Sequence, residues 1–434
     1  MNMKRRISLL DMSRSLAPAV RRVMMAVSGI VLAAAPMSFA QDSSGVRCLG
    51  RLWNMNSVGV AVQGDYAYVA DGYSGLSVIN ISNSNSPFEV GSYDTPGYAW
   101  GVTVAGNYAY VADGGSGLRI INISNPASPQ QVGFYDTPGW AFGVAVMGNY
   151  AYVADYDYGL RIVNISVPTS PQSVGFYDTQ SYSFDVAVTG NYAYVADGFN
   201  GLRIINISNP ASPFETGFYD TPSSAFSVAV AGSYAYIADY DSGLCIINIS
   251  NPASPLQSGF YNTPGLAYSV AVAGNGLYIA DYDYGLRIIN INNPVSPIEV
   301  GFYVTPGYAR GVAAVGNLAY VAAGQEFGIY DCSDAMSVIE RESSTVPTTF
   351  ALLPNYPNPF NAETEIRYAL PKTVPVMLKV FDSQGREVRT LVNFHQDAGT
   401  YSVRFNAGAL PSGVYFARLR AGSCTASQKM LLLR

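Results

Sequence analysis

The sequence predicts an all-β chain: a seven-bladed β-propeller with four-stranded blades, its last blade closed by an N-terminal strand, followed by a small immunoglobulin-like β-sandwich. Three observations predict it. First, Val-Ala-Asp or Ile-Ala-Asp ends at Asp71, Asp113, Asp155, Asp197, Asp239 and Asp281, always 42 residues apart, and a degenerate copy, "AYVAAG", puts Ala323 at the next step. Second, each unit holds four short β-type segments separated by turn signals, the size of one propeller blade. Third, no unit carries a helical period.

Residues 1–40 stand apart. Lys4, Arg5, Arg6, Arg14, Arg21 and Arg22 make a basic lead, Val23–Met37 is apolar, and Ser38-Phe39-Ala40 is a small-x-small cleavage pattern. This reads as a secretory signal peptide, with Arg5-Arg6 or Arg21-Arg22 as a twin-arginine alternative. No other stretch is long and apolar enough to span a bilayer, so no transmembrane segment is expected in the mature chain.

Residues 41–336 are the predicted propeller. The unit beginning at Gly143 reads "GVAVMGNYAYVADYDYGLRIVNISVPTSPQSVGFYDTQSYSF". Its strands are Val144–Val146, Tyr150–Ala154, Leu160–Ile165 and Gln172–Asp178. Gly148-Asn149, Asp157-Tyr158-Gly159 and Pro168–Pro171 are the turns between them. The small first strand suits the narrow axis of a propeller. Middle strands are apolar on both faces because neighbouring blades cover both. The larger, more polar fourth strand suits the rim.

Counting strands predicts how the ring closes. First-type strands begin near Val60, Val102, Val144, Val186, Val228, Val270 and Val312, but only six fourth-type strands follow them. "VRCLGRLWN" at Val46–Asn54 matches the fourth-strand segment "IEVGFYVT" and supplies the missing strand, removing an exposed edge. Cys332 takes the place of Ile291 in the repeat and Cys48 that of Glu299. Placing the turn centre near Val295 sets these two opposite each other, so a Cys48–Cys332 disulfide is expected at the seam, the alternative being two buried thiols. Cys245 and Cys424 have no evident partner.

Units such as "GNYAYVADGGSGLRIINISNPASP" (Gly106–Pro129) resemble LVIVD repeats, a propeller class of secreted bacterial proteins. The resemblance implies the propeller fold and carries no catalytic residues. This chain has Asn122, Asn164, Asn206, Asn248 and Asn290 where that class has the Asp of "IID".

Residues 337–349 are polar and read as a linker. Residues 350–434 alternate apolar and polar between Gly and Pro turns, as a small β-sandwich does. The segment Tyr356-Pro357-Asn358-Pro359-Phe360-Asn361, the hairpin at Phe381–Val388, Leu410–Tyr415 and Lys429 resemble the C-terminal sorting domain of type IX secretion substrates. That resemblance implies contact with the secretion machinery through residues 350–434 and a destination at the outer membrane, on the cell surface or outside the cell.

Charge narrows the partners. Residues 41–349 hold 24 acids, eight arginines and no lysine, a net of −16, which argues against nucleic acid. The single histidine, His395, lies in the tail. The propeller therefore has no histidine base or zinc pattern, and no phosphate-cradling Gly-Lys loop. Seven near-identical units also argue against a single catalytic centre. No catalytic residue and no cofactor are expected.

A binding face is expected where the second-to-third-strand turns meet the loops that enter the next blade. There, Trp100, Trp140, Phe142, Tyr182, Phe184, Tyr268 and Tyr308 stand beside carboxylates, a pairing suited to sugar rings. Two positions break the repeat: Asp185, where sibling units have Gly or Ser, and Arg310, where they have mostly aromatic residues. The octapeptide "ADYDYGLR", at Ala154–Arg161 and again at Ala280–Arg287, offers Asp155, Asp157, Asp281 and Asp283 as calcium ligands. It supplies two carboxylates where calcium takes six to eight oxygens. The competing reading makes the repeat Asp a turn residue paired with Arg119, Arg161, Arg203 or Arg287. Ala323 and Gly328 lose that pair together. The expected function is recognition of a glycan or a protein, with a structural surface-layer role and an acid-based polysaccharide enzyme as alternatives. An exposed aromatic face favours binding, and rings buried between blades favour the structural role.

Overall fold

Seven consecutive four-stranded antiparallel sheets are arranged round one axis in the computed structural model, which describes residues 43–336, 340–343, 347–396, 398–408 and 410–434. The predicted signal peptide lies outside the described residues. The first strands, Gly59–Gln63, Gly101–Ala105, Gly143–Met147, Asp185–Thr189, Ser227–Ala231, Ser269–Ala273 and Gly311–Val315, open blades 1 to 7. They pack side by side, and the seventh returns to the first.

Blades hold together through apolar interfaces between neighbours. Alternation sends Tyr110, Ala112, Leu118 and Ile120 of blade 2 against Val144, Ala151, Val153 and Val163 of blade 3. Ala109, Val111 and Ile121, on the other face of blade 2, pack on blade 1. Truncating one such side chain, for example Leu118→Ala, costs about 2–5 kcal/mol. At the rim the approach is closer still: a Cβ on Gly133 would stand 2.0 Å from the Pro168 carbonyl oxygen of the next blade.

The ring closes as predicted. Arg47–Ser57 pairs antiparallel with Gly324–Asp331 as the outer strand of blade 7. Ser43–Ser44 adds a short strand to the edge of blade 6. The predicted disulfide is not formed, and Cys48 and Cys332 are free thiols. In the repeat the register is Asn290 opposite Ile298, so the hairpin centre lies one residue earlier than Val295. Cys48 accordingly stands opposite Tyr330, while Cys332 lies beyond the last paired rung, buried among Val46, Tyr330 and Ala335. Diagonal neighbours of this kind are too far apart for a disulfide.

The Asn that replaces Asp after the third strand makes an Asx turn. Asn122 Oδ1 accepts the Ser124 N–H at 2.9 Å, and the same bond recurs at Asn164, Asn206, Asn248 and Asn290. Asp331 of blade 7 does the same with Ser333, so either residue serves there.

The C-terminal domain consists of two four-stranded sheets. Ile366, Tyr368, Val376, Leu378, Val403 and Phe405 are buried between them. Glu340–Ser343, inside the segment expected to be a linker, is an edge strand pairing with Gly399–Asn406. A four-residue edge strand is paired on one side only, and so short and polar a segment reads as a linker in the sequence. Among the described residues no helix is long and apolar enough to cross a membrane.

Candidate functional site

The site is built from the residue that enters each first strand. Val58, Trp100, Phe142, Phe184, Phe226, Tyr268 and Arg310 all donate their backbone N–H to the last residue of their own second strand, at 2.8–2.9 Å. The seven therefore occupy one ring of equivalent positions at the mouth of the central channel. Five are aromatic and touch in sequence round the ring: Trp100 and Phe142 tilted at 4.6 Å, Phe142 and Phe184 edge-to-face at 5.4 Å, Phe184 and Phe226 stacked at 4.5 Å, Phe226 and Tyr268 tilted at 5.0 Å. Burial in this ring leaves Phe184 covered and the other four half-buried.

The octapeptide puts further rings on this face. Asp155 N bonds to Gly159 O, and Tyr158 N to Asp155 O, closing a tight turn. That turn forces Tyr156 to φ 51°, and Tyr240 and Tyr282 to 47° and 44°. Blades 1, 2 and 4 have Gly72, Gly114 and Gly198 at this position, where positive φ is free of cost. For a residue with a Cβ it costs about 1–2 kcal/mol. In exchange, Tyr156 stacks on Tyr182 at 4.4 Å and 9°, and Tyr282 on Tyr308 at 4.5 Å and 9°. Tyr240 stacks on Phe226 at 5.1 Å. An unbroken chain of ring contacts runs from Tyr73 to Tyr308.

Outside this half-buried band the face carries exposed rings. Trp140 is 48% exposed, Tyr308 52% and Phe199 72%, and Tyr73, Tyr158, Tyr182 and Tyr284 are also exposed. The structure thus divides the predicted row. Trp100, Phe142, Phe184 and Tyr268 form the ring round the channel, while Trp140, Tyr182 and Tyr308 offer surface to solvent. Sequence reasoning passed over Tyr73, Tyr156, Phe199, Tyr240 and Tyr282. Their signal was an aromatic residue inside or next to a turn whose siblings have glycine.

The repeat aspartates work inside the fold. Asp155 is fully buried and accepts from Thr137 Oγ1 at 2.5 Å and Gly139 N at 2.9 Å. Asp113 and Asp239 accept from Thr95 and Thr221 in the same way. Each carboxylate ties the entry loop of its blade to the turn. Arg119, Arg161, Arg203 and Arg287 approach Asp113, Asp155, Asp197 and Asp281 at 3.7–3.9 Å, as the Asp–Arg reading predicts. Each of these arginines also lies over a fourth-strand phenylalanine, such as Phe134 at 4.7 Å and Phe218 at 4.5 Å. Burial raises the carboxyls of Asp155, Asp239 and Asp281 to about 6. Asp157 and Asp283 are exposed. Among the described residues no three of His, Cys, Asp and Glu gather as metal ligands.

Asp185 lies inside the channel just below the ring. Its carboxylate accepts from Val186 N at 2.8 Å, Ser227 Oγ at 2.8 Å and Val228 N at 3.1 Å, bridging blades 4 and 5. Burial raises it to about 6. Ser227 and Ser269 reach Val270 N and Val312 N of the following blades, each at 3.4 Å.

These features define an all-β protein with a closed seven-bladed propeller, an aromatic face at its channel mouth and a C-terminal β-sandwich. Models of known families place it further: seven LVIVD repeats match residues 56–95, 96–137, 138–179, 181–221, 222–263, 264–305 and 306–346, more than half of the chain. The chain belongs to the LVIVD-repeat family. A secretion system C-terminal sorting domain matches residues 355–433. No curated protein matches the chain. Among solved structures it is similar to the RRP9 WD40 repeats (12% identity, 66% of this chain and 97% of that one, TM-score 0.54). It is also similar to virginiamycin B lyase from Staphylococcus aureus (12% identity, 67% and 99%, TM-score 0.54) and to the computationally designed Ika8 protein (8% identity, 65% and 99%, TM-score 0.51). At these identities the likeness is one of fold. The repeats and the sorting tail together support export by the type IX route to the cell surface or the extracellular space.

Proposed function

We propose that the propeller is a non-catalytic recognition platform that binds a saccharide across its aromatic face, and that the C-terminal domain delivers it to the outer-membrane surface. One observation carries this reading. Tyr156, Tyr240 and Tyr282 accept a left-handed backbone in three separate blades, and all three place their rings in the same surface band. Strain of this kind concentrates at functional positions. A fold that needed only the turn has glycine available, as in blades 1, 2 and 4. Exposed rings of Trp and Tyr beside hydroxyls and carboxylates suit the flat apolar face and polar rim of a pyranose.

A structural role has one observation in its favour, the mutual packing of the inner ring. Trp140 and Phe199, exposed and outside the chain of ring contacts, do not serve that role. The test is a glycan panel, neutral and acidic, probed with the purified full chain in calcium and in chelator. The expected result is a chelator-insensitive hit that Trp140→Ala weakens by about tenfold, in line with the loss of one stacked aromatic contact. Silence across the panel, or binding indifferent to Trp140→Ala, overturns the reading. Binding lost in chelator transfers it to a calcium site.

A further inference from the structure

The ring at the channel mouth has one charged member. Arg310 holds the position that Trp100, Phe142, Phe184, Phe226 and Tyr268 hold in their blades, with the same backbone bond, Arg310 N to Ala322 O at 2.9 Å. It is half-buried. Among the described residues the propeller has seven arginines, and six of them are ion-paired: Arg47 with Asp331, Arg51 with Glu326, and Arg119, Arg161, Arg203 and Arg287 with the repeat aspartates. Arg310 alone has no carboxylate partner among the described residues, in a domain whose net charge is strongly negative. A half-buried guanidinium is costly to desolvate and favours an anion.

Further donors lie on the same side of the mouth. Arg310 and the Asn56 amide both lie near the Tyr98 hydroxyl, and Asn56 Nδ2 is 3.4 Å from it. Tyr98 packs against Trp100, the rings 4.5 Å apart and tilted by 43°. The Trp100 indole N–H is buried without an acceptor, an uncommon state for a buried donor.

The channel wall below is polarised in the same sense. On the far side, Asp185, Ser227 and Ser269 supply acceptors to the inner-strand N–H groups of Val186, Val228, Val270 and Val312. On the Arg310 side, the equivalent positions are Gly311, Gly59 and Gly101, which have no side chain to accept from Val60, Val102 and Val144. Inner-strand N–H groups without a side-chain acceptor therefore lie in blades 1 to 3, next to Arg310 of blade 7, and the acceptors lie in blades 4 to 6.

We propose that this quadrant receives the carboxylate of an acidic sugar, with Arg310 as its ion partner and the Tyr98–Trp100 pair as the platform under the ring. The inference rests on the saccharide-binding reading above and narrows it to hexuronate-containing polysaccharides. The bond formed is a charge-assisted hydrogen bond, and no covalent step is involved.

The test uses the purified full chain with oligogalacturonate and with a neutral oligosaccharide of equal length, at two salt concentrations. The proposal expects tighter binding of the uronate, weakened by salt. Arg310→Ala should lower uronate affinity by about tenfold or more and neutral-sugar affinity by clearly less, so that the preference for the uronate is lost. Arg310→Lys should fall between, because it keeps the charge and loses the planar fork. Val58 holds the equivalent position in blade 1, so loss of the guanidinium should leave the thermal midpoint in place, which a melt of each variant checks. Equal binding of both sugars, with neither affected by Arg310→Ala, overturns the inference and leaves the saccharide reading standing. Binding of neither sugar, together with a silent panel, overturns both.

Discussion

Three tyrosines allow a test of whether a single residue separates folding from binding. Tyr156, Tyr240 and Tyr282 carry a backbone cost of about 1–2 kcal/mol each. Their stacking returns about 0.5–1.5 kcal/mol. Tyr282→Gly should therefore change stability by less than about 1 kcal/mol in a thermal melt, while ligand affinity falls. A large loss of stability would instead make the ring a wedge between blades. Cys245 provides a second residue-scale test. It stands where Arg119, Arg161, Arg203 and Arg287 stand, next to buried Asp239, and the Phe260 ring that the arginine would cover is 66% exposed. Cys245→Arg should raise the thermal midpoint by a few degrees, about 1 kcal/mol, even though Asn262 replaces the second acid of the sibling blades. An unchanged or lowered midpoint would count against the Asp–Arg–Phe unit as a stabilising device. The Asp–Arg half of that unit was legible in the sequence because both residues vanish together at Ala323 and Gly328. The phenylalanine was not, since residues 15 apart give no local signal of a cross-strand contact.

Strands and turns were legible for the same reason that they repeat. Seven copies of one pattern average out the ambiguity of any single short strand. What periodicity does not fix is register to within one residue, and the Cys48–Cys332 expectation failed there: a turn centre placed one residue late moves the pairing by two. The sorting tail adds an element-scale device. Asn358 of the "YPNPFN" segment donates through Nδ2 to Lys429 O at 3.0 Å and accepts Leu431 N at 2.9 Å. Phe360 continues alongside, its N–H bonded to Leu431 O and its carbonyl to Leu433 N, both at 2.9 Å. The motif thus covers the edge of the last strand, Cys424–Leu432. Asn358→Ala should cost about 1–2 kcal/mol and make the tail easier to cleave by protease at a fixed temperature. Unchanged cleavage would show that Phe360 alone holds the segment.

For the whole molecule, ring symmetry bears on both the stability and the position of the proposed site. Asp155, Asp185, Asp239 and Asp281 are raised by burial to about 6 from an unfolded value near 3.8. Between those values the folded state binds more protons than the unfolded one, so stability falls as pH rises through that window. Melts at pH 5 should therefore lie above melts at pH 7.5, and a midpoint that climbs steadily over that range would contradict the burial argument. Glu365 works in the opposite sense. The Ser402 hydroxyl and Arg367 hold it low, so its contribution is lost only as pH falls below its unfolded value. Fold, blade count and closure could be read from the sequence because they are properties of the repeat. The site was half legible, because its aromatic row repeats, whereas Arg310, the orphan Trp100 N–H and the polarised channel come from departures that acquire meaning only round a closed ring.

The central claim is that one face of the propeller, and not its equally apolar rim, holds the ligand. The most direct measurement compares glycan affinity of the full chain with that of face variants, Trp140→Ala and Tyr308→Ala, and rim variants, Phe134→Ala and Phe218→Ala. These four rings have matched exposure, 48%, 52%, 52% and 51%. Losses of about tenfold confined to the face variants are the predicted result. Equal losses on face and rim, or losses on the rim alone, would contradict it.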